Sequence, residues 1–207
     1  MSLPFTVRGD LEEAGSTSIY ILRNVISNEK MQDIKKIIDK YADRVEEYSE
    51  VYNNHVCSTF LHFQDLEHYN PKIYQEIKRT FEYIRNKIET HIYHLKSRVQ
   101  YDFMQLRKIH GPTQLHIDGA LPVSESNECR LYSVIIALNN DYEGGEFNFP
   151  NQDVSVKLKA GDALIFPPYW THPHSTNELN GTFRYTINTW FTNCNSAVIM
   201  PRKTISN

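Results

Sequence analysis

The sequence predicts a mainly β fold whose α-helices are gathered in the N-terminal half. Three observations carry that expectation. Two stretches of helical period lie before residue 100, no helical period returns after it, and short apolar runs with turn signals at intervals of roughly ten residues fill the rest. Such spacing belongs to two stacked sheets rather than to alternating strands and crossover helices. We therefore expect a double-stranded β-helix, or jelly-roll, core flanked by N-terminal helices.

The elements follow in order. Residues 1 to 16 read as an irregular lead-in ending in Gly15-Ser16, and Ser18 to Leu22 as a short strand. From Asn28 to about Tyr48 the positions Met31, Ile34, Ile38, Tyr41 and Val45 form one stripe of an amphipathic helix, with Ser27 or Asn28 able to cap it. A second helix starts from Asn70 as cap and Pro71 in the first turn. It carries Ile73, Ile77, Phe81, Ile84, Ile88 and Ile92 on one face. His91 and His94 near its end read as solvated or capping residues. The stretch Glu50 to Asp65 has no clean period and is assigned no element; its aromatic residues suit packing or the rim of a binding site. From Tyr101 the period becomes two, with Tyr101, Phe103, Gln105 and Arg107 on one face and Asp102, Met104 and Leu106 on the other. That strand runs into a Gly111-Pro112 turn. The chain is read as a single domain over 1–207, with support in 1–100, the rolled core in 101–191 and a tail in 192–207 that either docks or is disordered.

The segment Leu115-His116-Ile117-Asp118-Gly119 is the centre of interest. Residues two apart on an extended strand point to the same face, so an imidazole nitrogen of His116 and a carboxylate oxygen of Asp118 can converge on one point. The pair is two thirds of the two-histidine, one-carboxylate set that holds a non-haem Fe(II) and leaves its far side open. The segment Phe166-Pro167-Pro168-Tyr169-Trp170-Thr171-His172-Pro173-His174 offers two candidates for the third ligand, His172 and His174.

Further features follow in fixed order: the strand Leu131 to Leu138, the turn Asn139 to Phe147 with its Gly144-Gly145 pair, the run Lys159 to Pro167 containing Gly161-Asp162, then His174, then Gly181-Thr182-Phe183-Arg184-Tyr185. With these in place, residues 101 to 191 resemble the 2-oxoglutarate and Fe(II)-dependent dioxygenases, in particular their prolyl-4-hydroxylase-like branch. The resemblance implies the same rolled fold. In that family the distal histidine follows a Phe-Pro pair and precedes by ten residues a basic residue that pairs with 2-oxoglutarate. His174 stands ten residues before Arg184 and His172 twelve, so the resemblance favours His174 with His116 and Asp118 as the metal set.

The resemblance also implies that 2-oxoglutarate chelates the iron through its 1-carboxylate and 2-keto oxygen. Its 5-carboxylate would then lie deep in the roll, where an unpaired charge is costly and a guanidinium fork such as that of Arg184 supplies two charge-assisted hydrogen bonds. Alternation places Thr186 and Asn188 in the same inward row, able to bond the cosubstrate or a water beside it. Relatives often use a tyrosine as well. Tyr101 and Tyr132 are the candidates, although the commonest tyrosine position falls near Lys108-Ile109. Gly144-Gly145 reads as a structural turn, and Tyr169, Trp170 and Trp190 as core. The implied chemistry is hydroxylation of an unactivated C–H bond, with O₂ as oxidant, 2-oxoglutarate decarboxylated to succinate and CO₂, and ascorbate as reductant. The carboxylate of Asp118 favours hydroxylation over halide transfer.

Composition sets outer bounds. With 40 % apolar and 12 % aromatic residues the chain can fill a core, and a formal net charge of −3 without a basic stripe makes nucleic acid an improbable partner. Three cysteines without close spacing argue against a disulfide framework or zinc ribbon. No run approaches the roughly 18 apolar residues of a membrane span, so a cytoplasmic protein is expected. Substrate identity, whether a prolyl residue of a peptide, a protein or a small molecule, is not encoded legibly, and neither is oligomeric state. Two other readings compete: a non-catalytic metal-binding jelly-roll module, and a cupin-type dioxygenase that does without 2-oxoglutarate. Arg184 separates the cupin-type reading from the 2-oxoglutarate-dependent one, because a dicarboxylate cosubstrate alone needs a buried cation beyond the metal.

Overall fold

Apolar side chains sort onto the two faces of one antiparallel sheet, and that sorting builds the molecule. The computed structural model describes residues 5–8, 11–47, 56–92, 95–119 and 129–193. The chain beyond Asn193, His94 and the His55 stretch lie outside these residues.

The large sheet takes strands from both halves of the chain. Its order is β1 (Phe5–Arg8), β2 (Leu11–Ala14), β3 (Tyr20–Leu22), β13 (Ala163–Phe166), β9 (Arg130–Ala137), β16 (Arg184–Asn193), β7 (Gln105–Ile109), β5 (Val56–His62) and β4 (Arg44–Glu47), with β6 (Ser97–Val99) also paired to β16. A smaller sheet runs β12 (Val154–Val156), β11 (Phe147–Phe149), β14 (His174–Thr176) and β8 (Thr113–His116), and β10 (Glu143–Gly144) pairs with β15 (Leu179–Asn180). The chain is thus mainly β, with antiparallel pairing throughout the described sheets.

Helices α1 (Asn28–Tyr41) and α3 (Pro71–His91), with the short α2 (Phe63–Tyr69) between them, cover one face of the large sheet. On β9, Val134 and Ile136 meet the helices while Ile135 and Ala137 face the smaller sheet; on β13, Ala163 and Ile165 divide from Leu164 and Phe166 in the same way. Period-two alternation therefore gives two cores from the same strands. Ile77, Phe81, Ile84 and Ile88 of α3 are fully buried, each contributing about 1.5–3 kcal/mol by leaving water. Asn70 accepts from the amide of Ile73 at 3.1 Å, and Pro71 occupies the first turn.

Two boundaries differ from the periodic reading. Helix α1 ends at Tyr41, and Arg44–Glu47 extends as β4 to pair with the edge of β5. Val45, which continued the apolar stripe, is 52 % exposed; pairing to an available edge outweighs local period there. Tyr101–Phe103 forms one 3-10 turn, and the strand begins only at Gln105. Tyr101 donates from its hydroxyl to Glu82 of α3 at 2.9 Å, which draws this turn toward the helix layer.

Candidate metal and cosubstrate site

His116 ends β8 and His174 begins β14, and the antiparallel register sets the two directly opposite one another, with ring centroids 4.3 Å apart. Asp118 follows two residues beyond β8. Its Oδ1 lies 3.2 Å from His116 Nε2 and its Oδ2 3.8 Å from His174 Nε2. One ligand atom from each of the three falls within 4.8 Å of the others. Hydrogen bonds fix the orientation. Nδ1 of His116 meets the Gln114 carbonyl at 2.8 Å and Nδ1 of His174 the His172 carbonyl at 3.2 Å, so in each neutral ring Nε2 carries the lone pair that points inward. Ser133 donates to Asp118 Oδ2, and Arg130 donates to the Asp118 carbonyl at 2.5 Å. Gly119 donates to the Pro168 carbonyl at 2.8 Å, which ties the two ligand-bearing segments together.

Charge follows from these contacts. Burial pushes the Asp118 carboxyl up, but the hydrogen bond with His116 and the neighbouring imidazoles outweigh it and hold the group down at about 2. Burial pushes His174 down, which keeps it neutral at pH 7. In His116 burial acts in the same direction but is outweighed by Asp118, and its pKa rises. One carboxylate and a pair of imidazoles on one side of an open space can hold a divalent ion while leaving positions on the far side.

That open space is a small cavity of about 70 Å³ between the two sheets, lined by residues of both. Its floor is β16. Arg184, Thr186, Asn188 and Trp190 face inward along one side of the strand, while Tyr185, Ile187 and Phe191 join the helix-side core. Arg184 is 2 % exposed; its Nη1 donates to the Gly145 carbonyl at 2.8 Å, its Nη2 to Thr176 at 3.4 Å, and the guanidinium lies 4.9 Å over the Phe147 ring. Gly145 (φ +68°) has a role in this: a Cβ there would come within 2.6 Å of Leu179 and 3.4 Å of Arg184 Nη1. Thr186 Oγ1, Asn188 Oδ1 and Trp190 Nε1 are buried and find no hydrogen-bond partner among the described residues. Unsatisfied polar atoms lining one cavity fit a polar ligand there.

The other histidine of the pair is elsewhere engaged. His172 Nε2 donates to the Thr17 carbonyl at 2.7 Å and its Nδ1 meets Thr171 Oγ1 at 2.8 Å, so neither nitrogen is turned toward Asp118. Both tyrosine candidates also lie away from the cavity. Tyr101 is bound to Glu82 and stacked on Phe63, and Tyr132 shares the parity of Val134 and Ile136 on β9, so both pack in the helix-side core and neither lines the cavity. Trp170 is 77 % exposed rather than core, and Trp190 lines the cavity with Arg130 stacked 3.6 Å over its ring. Sequence reasoning passed over Arg107, Arg130 and Ser133. For Arg107 the signal was present, since its face on β7 was read correctly as that of Gln105.

Residues 104–192 match the model of the 2OG-Fe(II) oxygenase superfamily. The match covers 89 of the chain's 207 residues. Among curated relatives, prolyl 3-hydroxylase 2 of Rattus norvegicus is 30 % identical over 113 residues, covering 48 % of this chain and 16 % of that protein. Prolyl 3-hydroxylase 1 of Gallus gallus is 29 % identical over 126 residues, covering 53 % and 17 %. The chain thus spans about a sixth of the length of these relatives. In fold the chain is similar to the viral collagen prolyl hydroxylase of Paramecium Bursaria Chlorella virus-1 in its 2OG complex (TM-score 0.61, 16 % identity, 86 % of this chain and 98 % of that one). It is likewise similar to a Trichoplax adhaerens prolyl hydroxylase in complex with a hypoxia inducible factor peptide fragment (TM-score 0.63, 15 % identity, 86 % and 84 %).

Proposed function

We propose that this chain is a 2-oxoglutarate- and Fe(II)-dependent dioxygenase that hydroxylates a C–H bond, with a prolyl residue of a peptide or protein as the substrate class. The single observation that carries the reading is the meeting of His116, Asp118 and His174 at the mouth of a cavity whose floor holds the buried Arg184. The prolyl hydroxylases among its relatives supply the substrate class. The two-sheet core with helices on one face is read as a double-stranded β-helix with N-terminal support.

The donor set fits the ion. Two imidazoles with Nε2 turned inward and a carboxylate kept ionised by its neighbours suit Fe(II), which when bound would supply oxygen activation and the decarboxylation of 2-oxoglutarate to succinate and CO₂. The chain's own part is positional. His116, Asp118 and His174 would hold the ion and would leave the rest of the cavity to cosubstrate and O₂. Arg184, oriented by Gly145 and Thr176, pairs the 5-carboxylate and fixes how deep the cosubstrate sits. Thr186 and Asn188 offer polar atoms along its length. Phe147, Ile135 and Ile109 line the same space and exclude water. A buried cation beyond the metal set supports 2-oxoglutarate use over a cupin-type reaction without it.

The test is turnover. With Fe(II), ascorbate and 2-oxoglutarate, the protein should release succinate, and proline-containing peptides should gain one oxygen by mass spectrometry. Absence of succinate under these conditions, from protein that has bound iron, refutes the reading.

A further inference from the structure

Strand β16 runs between β9 and β7, but at Arg184 one of these neighbours has already ended. On the β7 side Arg184 stands opposite Ile109. On the other side β9 stops at Ala137, opposite Thr186, and a last backbone rung runs from the Leu138 amide to the Tyr185 carbonyl at 2.9 Å. Alternate residues of an antiparallel ladder turn their backbone groups to alternate neighbours, so the Phe183 carbonyl and the Tyr185 amide both face the side that β9 has left. Left unpaired inside the sheet, such groups are costly.

A side chain takes the place of the strand. Asn139 is 5 % exposed; its Oδ1 accepts from the Tyr185 amide at 2.7 Å, and its Nδ2 donates to the Phe183 carbonyl at 2.8 Å and to Asp141 Oδ1 at 2.6 Å. These partners admit one orientation of the carboxamide, because a flipped group would set nitrogen against an amide and oxygen against two acceptors. The Phe183 carbonyl and the Tyr185 amide belong to the two peptide groups that flank the Arg184 Cα. One planar group therefore grips both, and fixes the backbone from which the guanidinium projects. Thr182 donates from its hydroxyl to the Asp141 carbonyl at 2.7 Å, which joins the same turn to the approach of β16. At its tip Arg184 meets the Gly145 carbonyl and Thr176, contacts that depend on where the root is held. A long side chain magnifies any tilt at its Cα, and a displacement of about 1 Å at a binding group can cost up to about 100-fold.

We propose that Asn139 is a positioning residue for the cosubstrate: it supplies the missing rung beside β16, sets where Arg184 presents its guanidinium, and thereby sets the preference for a 2-oxo acid with a distal carboxylate. Asn139 itself does not line the cavity. The proposal rests on the reading of Arg184 as partner of the 5-carboxylate and adds to it a residue behind the strand.

The test uses the full chain loaded with Mn(II) and compares calorimetric affinities for 2-oxoglutarate and 2-oxopentanoate, which keeps the chelating end and carries a methyl group in place of the 5-carboxylate. Wild-type protein should prefer 2-oxoglutarate by at least about ten-fold, as a charge-assisted guanidinium contact requires. Asn139→Ala should shrink that preference by at least about five-fold, while its affinities for 2-oxopentanoate and for Mn(II) stay within about three-fold of wild type. A merely structural residue would weaken both acids and the metal together, or none of them. Unchanged preference in Asn139→Ala, or equal loss for both acids, overturns the proposal and leaves the reading of Arg184 standing. A wild-type protein without the preference removes that reading and the proposal with it. Asn139→Asp, equal in size, keeps the acceptor for Tyr185 but turns an anion toward the Phe183 carbonyl and Asp141. Should the alanine protein not fold, the aspartate variant decides in the same way: a shrunken preference supports the proposal and an unchanged one overturns it.

Discussion

Asp118 Oδ1 lies 3.2 Å from His116 Nε2 while Asp118 Oδ2 lies 3.8 Å from His174 Nε2, so one carboxylate spans both imidazoles. Without an ion these groups hold one another in place. An ion bound there would take the same atoms as ligands in place of the mutual contacts.

The two histidines of the 172–174 segment should separate cleanly. His174→Ala removes a donor from the set and should lower Fe(II) or Mn(II) affinity by at least about ten-fold. His172→Ala removes the contacts to Thr17 and Thr171, so it should cost about 1–3 kcal/mol of stability while leaving metal affinity within a few-fold of wild type. Metal titration and chemical denaturation of both proteins check this, and the reverse pattern would make His172 the ligand.

The metal-free protein should carry an acid-sensitive component traceable to Asp118. Its folded pKa of about 2 lies below the ordinary 3.8, so the carboxylate adds stability above about pH 4 that is lost as pH falls toward 2. The size is about 2 kcal/mol. In Asp118→Asn the fall in unfolding free energy between about pH 4 and 2 should be shallower by that amount, read from denaturation curves at each pH.

Ser133→Ala deletes the donor to Asp118 Oδ2 without touching the ligand set. Removal of such an outer partner typically costs 10–100-fold in metal affinity, and the lower end is expected here because His116 and Arg130 still hold Asp118. Calorimetry with Mn(II) measures it.

Gly144→Ala should destabilise the protein by at least about 1–3 kcal/mol, because φ is +72° and a Cβ would stand 1.9 Å from the Glu178 carbonyl oxygen. Since the next residue accepts from Arg184, 2-oxoglutarate affinity should weaken in the same variant. A stable variant with unchanged affinity would show that this turn does not govern the arginine.

Much of this was legible in the sequence because it rests on period. The α1 and α3 stripes, the same-face spacing of His116 and Asp118, and the inward row from Arg184 to Trp190 are one-dimensional patterns that the fold keeps. What stayed hidden depends on partners distant in the chain. Arg44–Glu47 is a strand only because β5 offers an edge, Tyr101 turns to the helices because Glu82 is there, and His172 is occupied because Thr17 lies across from it. Arg107 faced the right way in the alternation, but an arginine on a strand looks like surface until Ser58 and the second sheet enclose it.

Strand β16 divides its residues between an oily layer of helices and a charged chamber, one by one. The same ten-residue ribbon thereby carries the molecule's structural integrity and its reactivity on opposite sides, in lockstep. Adding or removing a single amino acid upstream of Thr186 would invert the ribbon, sending a guanidinium toward α1 and Tyr185 into the chamber. Point replacement can tune such a strand, but a change in its length would cost the protein its shape and its chemistry at once.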